Sequence, residues 1–227
     1  MSKRLYRFFD QIEWAEQMMR GSFRFRTLTY FRDYEEQEVR GDNNEGTSVF
    51  RPAIGLEIRN HTQRIKSFHP DSAFESEVKA DEIFVFCLSK SDTPRIREGF
   101  RAVACVQINN VPEFCRLVQM ALALEGAAFG GRPGHKRIGH HVHYYLPSEP
   151  PEARWACPDL IACSKSDDYR WQDEFRLLFS LTDALKFENV HLRIVQGNPS
   201  RPPDHSQHRE HRVSITDLKG IATIHAL

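Results

Sequence analysis

The run Phe175-Arg176-Leu177-Leu178-Phe179 has the apolar content of a strand that crosses a core, yet it carries an arginine and is preceded by Gln172-Asp173-Glu174. Successive residues of a strand point to opposite faces, so this Gln-x-Glu-x-Arg set places Gln172, Glu174 and Arg176 together on one face at the mouth of the strand. Any fold built around it must give all three a partner, because a buried charge without one is costly. An isolated triplet of this kind reads first as an ion-paired strand end, and second as a catalytic or binding cluster.

Other strand-like runs surround it. Leu5-Tyr6-Arg7-Phe8-Phe9 is short and apolar, and Ser22 to Leu28 alternates strictly, with Phe23 and Phe25 on one face and Arg24 and Arg26 on the other. Ser48 to Ile58, Ala102 to Ile108, Val213 to Ile215 and Ile221 to Ile224 are further strand candidates. Ile83 to Leu88 is apolar enough to lie centrally in a sheet. Only two helices are strongly marked. Asp10 and Glu13 form a capping-box pattern ahead of Ile12, Ala15, Met18 and Met19, with Gly21 as the stop. Asn110 and Pro112 open a second helix with a stripe from Phe114 to Leu122 and Gly126 near its end. Many strands and few helices make an α+β chain.

A chain of 227 residues can bury one large core, so a single domain over 1–227 is expected. Residues 198–212, rich in Pro and His and poor in apolar side chains, read as an exposed, mobile loop. The stretch from Thr29 to Thr47 reads as a long structured loop or short helix suited to binding, since a plain linker rarely carries residues such as Tyr30, Phe31 and Tyr34.

Lys plus Arg and Asp plus Glu both number 31, so nothing global draws the chain to nucleic acid or an anionic membrane. The five cysteines have no zinc-knuckle spacing and read as reduced, buried thiols. With no signal-like N-terminus and no apolar span, a soluble, cytoplasmic protein away from the membrane is expected. Gly130 to His135 lacks the end of a phosphate-binding P-loop, and His141 with His143 lacks the companions of a zinc motif, so no metal is assigned. Ser89-Lys90-Ser91, after the central strand, either closes a turn or holds a ligand.

In order, Tyr6-Arg7 on a first strand, Ser89-Lys90-Ser91 after a central strand and Gln172-Asp173-Glu174 opening a late strand resemble the arginine, Ser-x-Ser, Gln/Glu-x-Glu series of ADP-ribosyltransferases. Lys165-Ser166 followed by Trp171-Gln172-Asp173-Glu174-Phe175-Arg176 also resembles the signature of a large uncharacterised bacterial and phage family. Its relatives share pieces like Gly21-Ser22-Phe23-Arg24, Tyr30-Phe31-Arg32 and Arg40-Gly41-Asp42-x-x-Glu45-Gly46. The likeness spans most of residues 4–180.

This resemblance implies a mixed, mostly antiparallel split β-sheet core with a few flanking helices, and NAD as substrate. Cleaving the nicotinamide bond develops positive charge on the ribose, which a carboxylate at the 2′-hydroxyl stabilises, and Glu174 is the residue implied for that role. Gln172 would orient the acceptor nucleophile, and Arg7 would hold the pyrophosphate. Tyr6, Ser89, Ser91 and Tyr30 would complete the NAD site, and Arg32, Arg40, Asp42, Glu45 and Arg176 the acceptor side. Gln172 stands where arginine-modifying transferases carry a first Glu, and Ser89-Lys90-Ser91 lacks their middle Thr, so arginine is not the favoured acceptor. Local arginines place DNA or RNA slightly ahead of protein. A toxin or antiphage role is implied by the resemblance alone. NAD glycohydrolysis would use the same glutamate. Two readings from other classes are a non-catalytic phosphate or nucleic-acid binding module and a metal-dependent nuclease using Asp42, Glu45 and Glu174.

Overall fold

The computed structural model describes residues 4–33, 42–130, 136–197, 206 and 208–227. In chain order its elements are β1 (Leu5–Phe9), α1 (Ile12–Met19), β2 (Ser22–Thr27), α2 (Leu28–Arg32), β3 (Thr47–Phe50), β4 (Leu56–Asn60), β5 (Ile65–His69), β6 (Ser72–Glu77), β7 (Ile83–Ser89) and α3 (Pro94–Gly99). There follow β8 (Ala104–Ile108), α4 (Val111–Leu124), β9 (Gly139–His141), β10 (His143–Tyr145), α5 (Pro158–Ile161), β11 (Ser164–Ser166), β12 (Glu174–Ser180), β13 (His191–Gln196), β14 (Glu210–Ser214) and β15 (Ala222–Ala226). The architecture is mixed α+β with mostly antiparallel sheets. No helix among the described residues is long and apolar enough to cross a membrane.

One eight-stranded sheet carries the core. At its centre β7 pairs along one edge with the whole of β12, from Glu174 opposite Ser89 to Ser180 opposite Ile83. Two strands share the other edge. β2 grips its beginning, with Arg26 opposite Val85 and Thr27 opposite Phe84, and β1 grips its end, with Tyr6 opposite Ser89. Both run antiparallel to β7 and are joined through α1, so between their two points of attachment the sheet opens. β14 extends it beyond β2, and β8 and β15 extend it beyond β1. Alternation then sorts side chains by face: Phe23, Phe25, Phe86 and Phe179 meet Phe114 of α4 in one cluster, while Ile83, Val85 and Leu178 meet Ile161 and Cys163 on the other. Ring pairs such as Phe25 with Phe179 at 5.1 Å and Phe23 with Phe114 at 5.7 Å adopt the edge-to-face geometry that aromatic quadrupoles favour.

Several expectations need correction. Asp10 does not cap α1: Gln11 holds the N-cap position and makes no side-chain capping bond, because the helix starts one residue later than a capping box from Asp10 requires. The stop at Gly21 is in place, with φ at +84° and its N–H donating to Met18 O. Residues 48–58 form two strands, β3 and the start of β4, separated by a turn whose Gly55 has φ +99°. Within the loop expected at 198–212, Glu210 to Arg212 belong to β14 and pair with Arg26 to Arg24, because His211 tucks against the Phe179 ring at 5.2 Å; residues 198–205 and 207 lie outside those described. His141 closes β9 opposite Phe175, whereas His143 pairs with Ser164 in a separate two-stranded sheet. Of the cysteines, Cys105, Cys115 and Cys163 are buried, and all five are free thiols.

Candidate active site

A cavity of about 360 Å³ fills the opening between β1 and β2, a volume typical of small-molecule sites. Its floor is the β7 segment Val85 to Ser89, its sides come from β1, α1 and β2, and its deep end reaches Gln172, Glu174 and Arg176. Arg7 spans the opening. Its guanidinium lies over the Phe86 ring at 4.9 Å, and Nη1 donates to the Cys87 carbonyl at 2.6 Å, at a point of β7 that neither β1 nor β2 reaches.

Behind the floor is a buried charge cluster. Arg176 is 1 % exposed; its Nη1 and Nη2 donate to the two Glu45 oxygens at 2.8 and 2.6 Å, and its Nε donates to Glu174 Oε2 at 2.9 Å. Lys165 is equally hidden. Its Nζ donates to Gln172 Oε1 at 2.7 Å and Glu174 Oε1 at 3.0 Å, lies 3.5 Å from Glu45 Oε1, and faces the Tyr169 ring at 4.7 Å. Burial by itself would raise the Glu174 pKa, but Arg176 and Lys165 outweigh it and hold the carboxyl down at about 2, so Glu174 is ionised.

Local chain geometry delivers these groups. Asn44 N–H donates to Asp42 Oδ1 at 2.9 Å and Glu45 N–H to Asp42 O at 2.8 Å, and the turn ends at Gly46 with φ +76°. That turn aims Glu45 at Arg176. Asp42 is buried as well, and its Oδ2 has no hydrogen-bond partner among the described residues. Burial, with Glu45 nearby, pushes its pKa up to about 6. Gln172 ends a 3₁₀ turn and Asp173 takes the left-handed conformation at φ 46°, so Gln172 precedes the strand instead of belonging to it. The convergence expected on one strand face is thus achieved by a turn, with Lys165 as the common partner.

Of the residues singled out in the sequence, Tyr6, Arg7, Tyr30, Glu45, Ser89, Gln172, Glu174 and Arg176 all line the cavity. Ser91 is not among the described residues that do so: its Oγ donates to Asp173 Oδ2 at 2.7 Å, tying the end of β7 to the start of β12. Arg32 pairs with Asp33 at 3.2 Å and lies 3.8 Å from Glu77, on the side of the smaller β13–β6–β3 sheet. Arg40 lies outside the described residues. Trp171 packs against Phe100 at 5.8 Å beside α3.

Three contributors went unassigned in the sequence. Lys165 appears in the sequence only as part of the Lys-Ser signature and without a role, which its contacts with Glu45 and Glu174 supply. Tyr144 accepts a hydrogen bond from Glu174 N–H through its hydroxyl at 2.8 Å. Trp14 sits one turn before Met18 on α1, both lining the cavity, and its ring carries the Arg24 guanidinium at 4.7 Å. Its place four residues before Met18, at helical spacing, was the available signal. Among the described residues no group of three or more His, Cys, Asp or Glu side chains is arranged to hold a metal ion. Compared with family models, curated proteins and solved structures, the chain matches none.

Proposed function

We propose that the protein is an NAD-dependent ADP-ribosyltransferase acting on a macromolecular acceptor, with nucleic acid ahead of protein. The observation that carries this reading is the meeting of three distant sequence pieces at one end of the cavity. Ser89 stands opposite Tyr6 across one edge of β7 and opposite Glu174 across the other, and Arg7 crosses the opening beside them.

Each residue then has a task its geometry suits. The cavity is lined by six cationic side chains, Arg7, Arg24, Arg26, Lys165, Arg176 and Arg212, against Asp10, Glu45 and Glu174, so it favours an anionic ligand such as a dinucleotide. Arg7, oriented by Phe86 and Cys87, presents a planar cation to the cavity, the geometry that suits a pyrophosphate. Glu174 is a fixed, desolvated carboxylate, able to stabilise positive charge that grows on a ribose as its bond to nicotinamide breaks. Both of its oxygens already accept a hydrogen bond, and each retains a lone pair for a ribose hydroxyl. Metal-dependent hydrolysis is disfavoured because Lys165 and Arg176 stand between the carboxylates a cation would need.

The test is incubation of the purified protein with NAD labelled in its adenylate half and a mixed lysate, followed by nuclease or protease treatment of labelled material. NAD consumption that Glu174→Gln lowers by about 10²-fold or more, in a variant that still melts cooperatively, supports the reading. Intact phosphate binding without turnover favours the non-catalytic module, and a metal requirement without NAD favours the nuclease.

A further inference from the structure

On the transferase reading an acceptor meets Gln172 and Glu174, and the Lys165 ammonium already lies between these two side chains. It is 2.7 Å from the one and 3.0 Å from the other, with Glu45 at 3.5 Å and the Tyr169 ring at 4.7 Å. Its side chain is 2 % exposed. Burial works against its charge, but Glu174 and Glu45 outweigh burial and raise its pKa, so the ammonium persists through neutral pH. A guanidinium or a second ammonium brought against the same pair would meet a like charge about 4 Å away, a repulsion worth up to about a thousandfold in binding at an effective dielectric near 20.

The outer wall of the cavity has the opposite preference. Arg24 lies over Trp14 and Arg26 over Tyr30, each 4.7 Å from the ring, and Arg212 lines the same wall. Glu210 pairs with Arg26 at 2.9 Å and lies 3.8 Å from Arg24, leaving the wall net positive. Arginines interleaved with aromatic rings suit a chain that carries phosphates and flat bases.

We propose that Lys165 determines acceptor specificity, excluding cationic side chains and admitting an uncharged nucleophile carried on single-stranded nucleic acid. This rests on the transferase reading and narrows it. In the step concerned, the bond between ribose C1′ and the nicotinamide nitrogen breaks with its electron pair leaving on nicotinamide. A base nitrogen or hydroxyl oxygen forms the new bond to C1′ and releases its proton to water. The products are neutral nicotinamide, the ADP-ribosylated strand and one proton.

The experiment supplies labelled NAD with a mixed-sequence single-stranded oligonucleotide, in deoxyribo and ribo forms, together with agmatine and an arginine-rich peptide. The wild-type protein is expected to label an oligonucleotide and neither guanidinium acceptor. In Lys165→Met the ratio of agmatine to oligonucleotide labelling should rise at least about tenfold, since the repelling charge is gone, while Lys165→Arg should keep the wild-type ratio. Equal labelling of agmatine or peptide by the wild-type protein overturns the proposal, as does NAD consumption that labels no acceptor. NAD that is not consumed at all overturns the transferase reading and this proposal with it. Should both variants fail to fold in a melting experiment, the wild-type ratio alone decides.

Discussion

Ser91 Oγ donates to Asp173 Oδ2 at 2.7 Å, and through it the end of β7 fixes a left-handed residue immediately before Glu174. Lys90 reinforces the clamp, its Nζ 2.7 Å from Asp173 Oδ1 and its N–H donating to Asp173 O at 2.8 Å. The left-handed region costs an ordinary residue about 1–2 kcal/mol, less for Asp and nothing for Gly. Asp173→Ala should therefore lose more stability in urea titration than Asp173→Gly, by about 1 kcal/mol. Equal losses would mean that the side-chain bonds, not the backbone conformation, matter at this position.

Arg7→Ala should weaken binding of pyrophosphate-containing nucleotides more than tenfold, because a charge-assisted contact contributes about 1.5–3 kcal/mol. It also strands the Cys87 carbonyl that accepts from Arg7, adding a stability loss of about 1–3 kcal/mol. Calorimetric titration with ADP, alongside a melting curve, separates the two effects. Arg7→Lys keeps the charge without the planar fork and should recover only part of the affinity.

Asp42 sets a pH dependence. Its pKa rises from 3.8 to about 6 on folding, first because it is buried and then because of Glu45, while Lys165 and Arg176 act the other way. The folded protein thus binds this proton more tightly than the unfolded chain does, so stability falls as pH rises from about 4 to 6 and stays lowered above it. The size is about 3 kcal/mol at most, from a shift of about two units. Asp42→Asn, which keeps an oxygen for Asn44 N–H, should gain most of that at pH 7.5 and nothing at pH 3.5. Denaturation curves that keep a constant gap between the two proteins across that range would refute the assignment.

Glu174 behaves oppositely. Its carboxyl, held down to about 2 from 4.5, stabilises the fold above pH 4.5 and loses that contribution as pH falls toward 2. Truncating its partner with Arg176→Ala leaves Glu45 and Glu174 buried with Lys165 alone, and such losses run to about 3–5 kcal/mol. Simultaneous replacement of Glu45 and Arg176 by apolar residues should cost less than Arg176→Ala by itself, which a double-mutant cycle measures.

The sequence shows the strands that build the main sheet because their apolar periodicity is strong. Leu5–Phe9 and Ile83–Ser89 are legible in this way, and α4 is announced by Asn110, whose side chain does accept from Glu113 N–H at 3.2 Å. Less legible are β6 and β13, whose pairing depends on polar contacts such as Arg193 Nη2 with Glu75 Oε2 at 2.8 Å. Exposed Leu192 and Ile194 alternate there with charge and give no inside face to read. At the site, the triplet Gln172, Glu174 and Arg176 stands out because polar groups invade an apolar run. Lys165 does not, since its burial is decided by Glu45, a residue remote in sequence, and no local pattern encodes that meeting.

On the cleft side of β7, Phe86, Cys87 and Leu88 have no strand partner among the described residues. A bare strand edge is ordinarily a template on which a stray extended peptide can add, the route to domain swapping and amyloid-like growth. This one is only three residues long between the points where β2 and β1 attach, and the Arg7 guanidinium covers its middle carbonyl. The same gap that admits a ligand is thereby closed to self-templating, so substitutions that empty it carry a risk of misassembly as well as of lost binding.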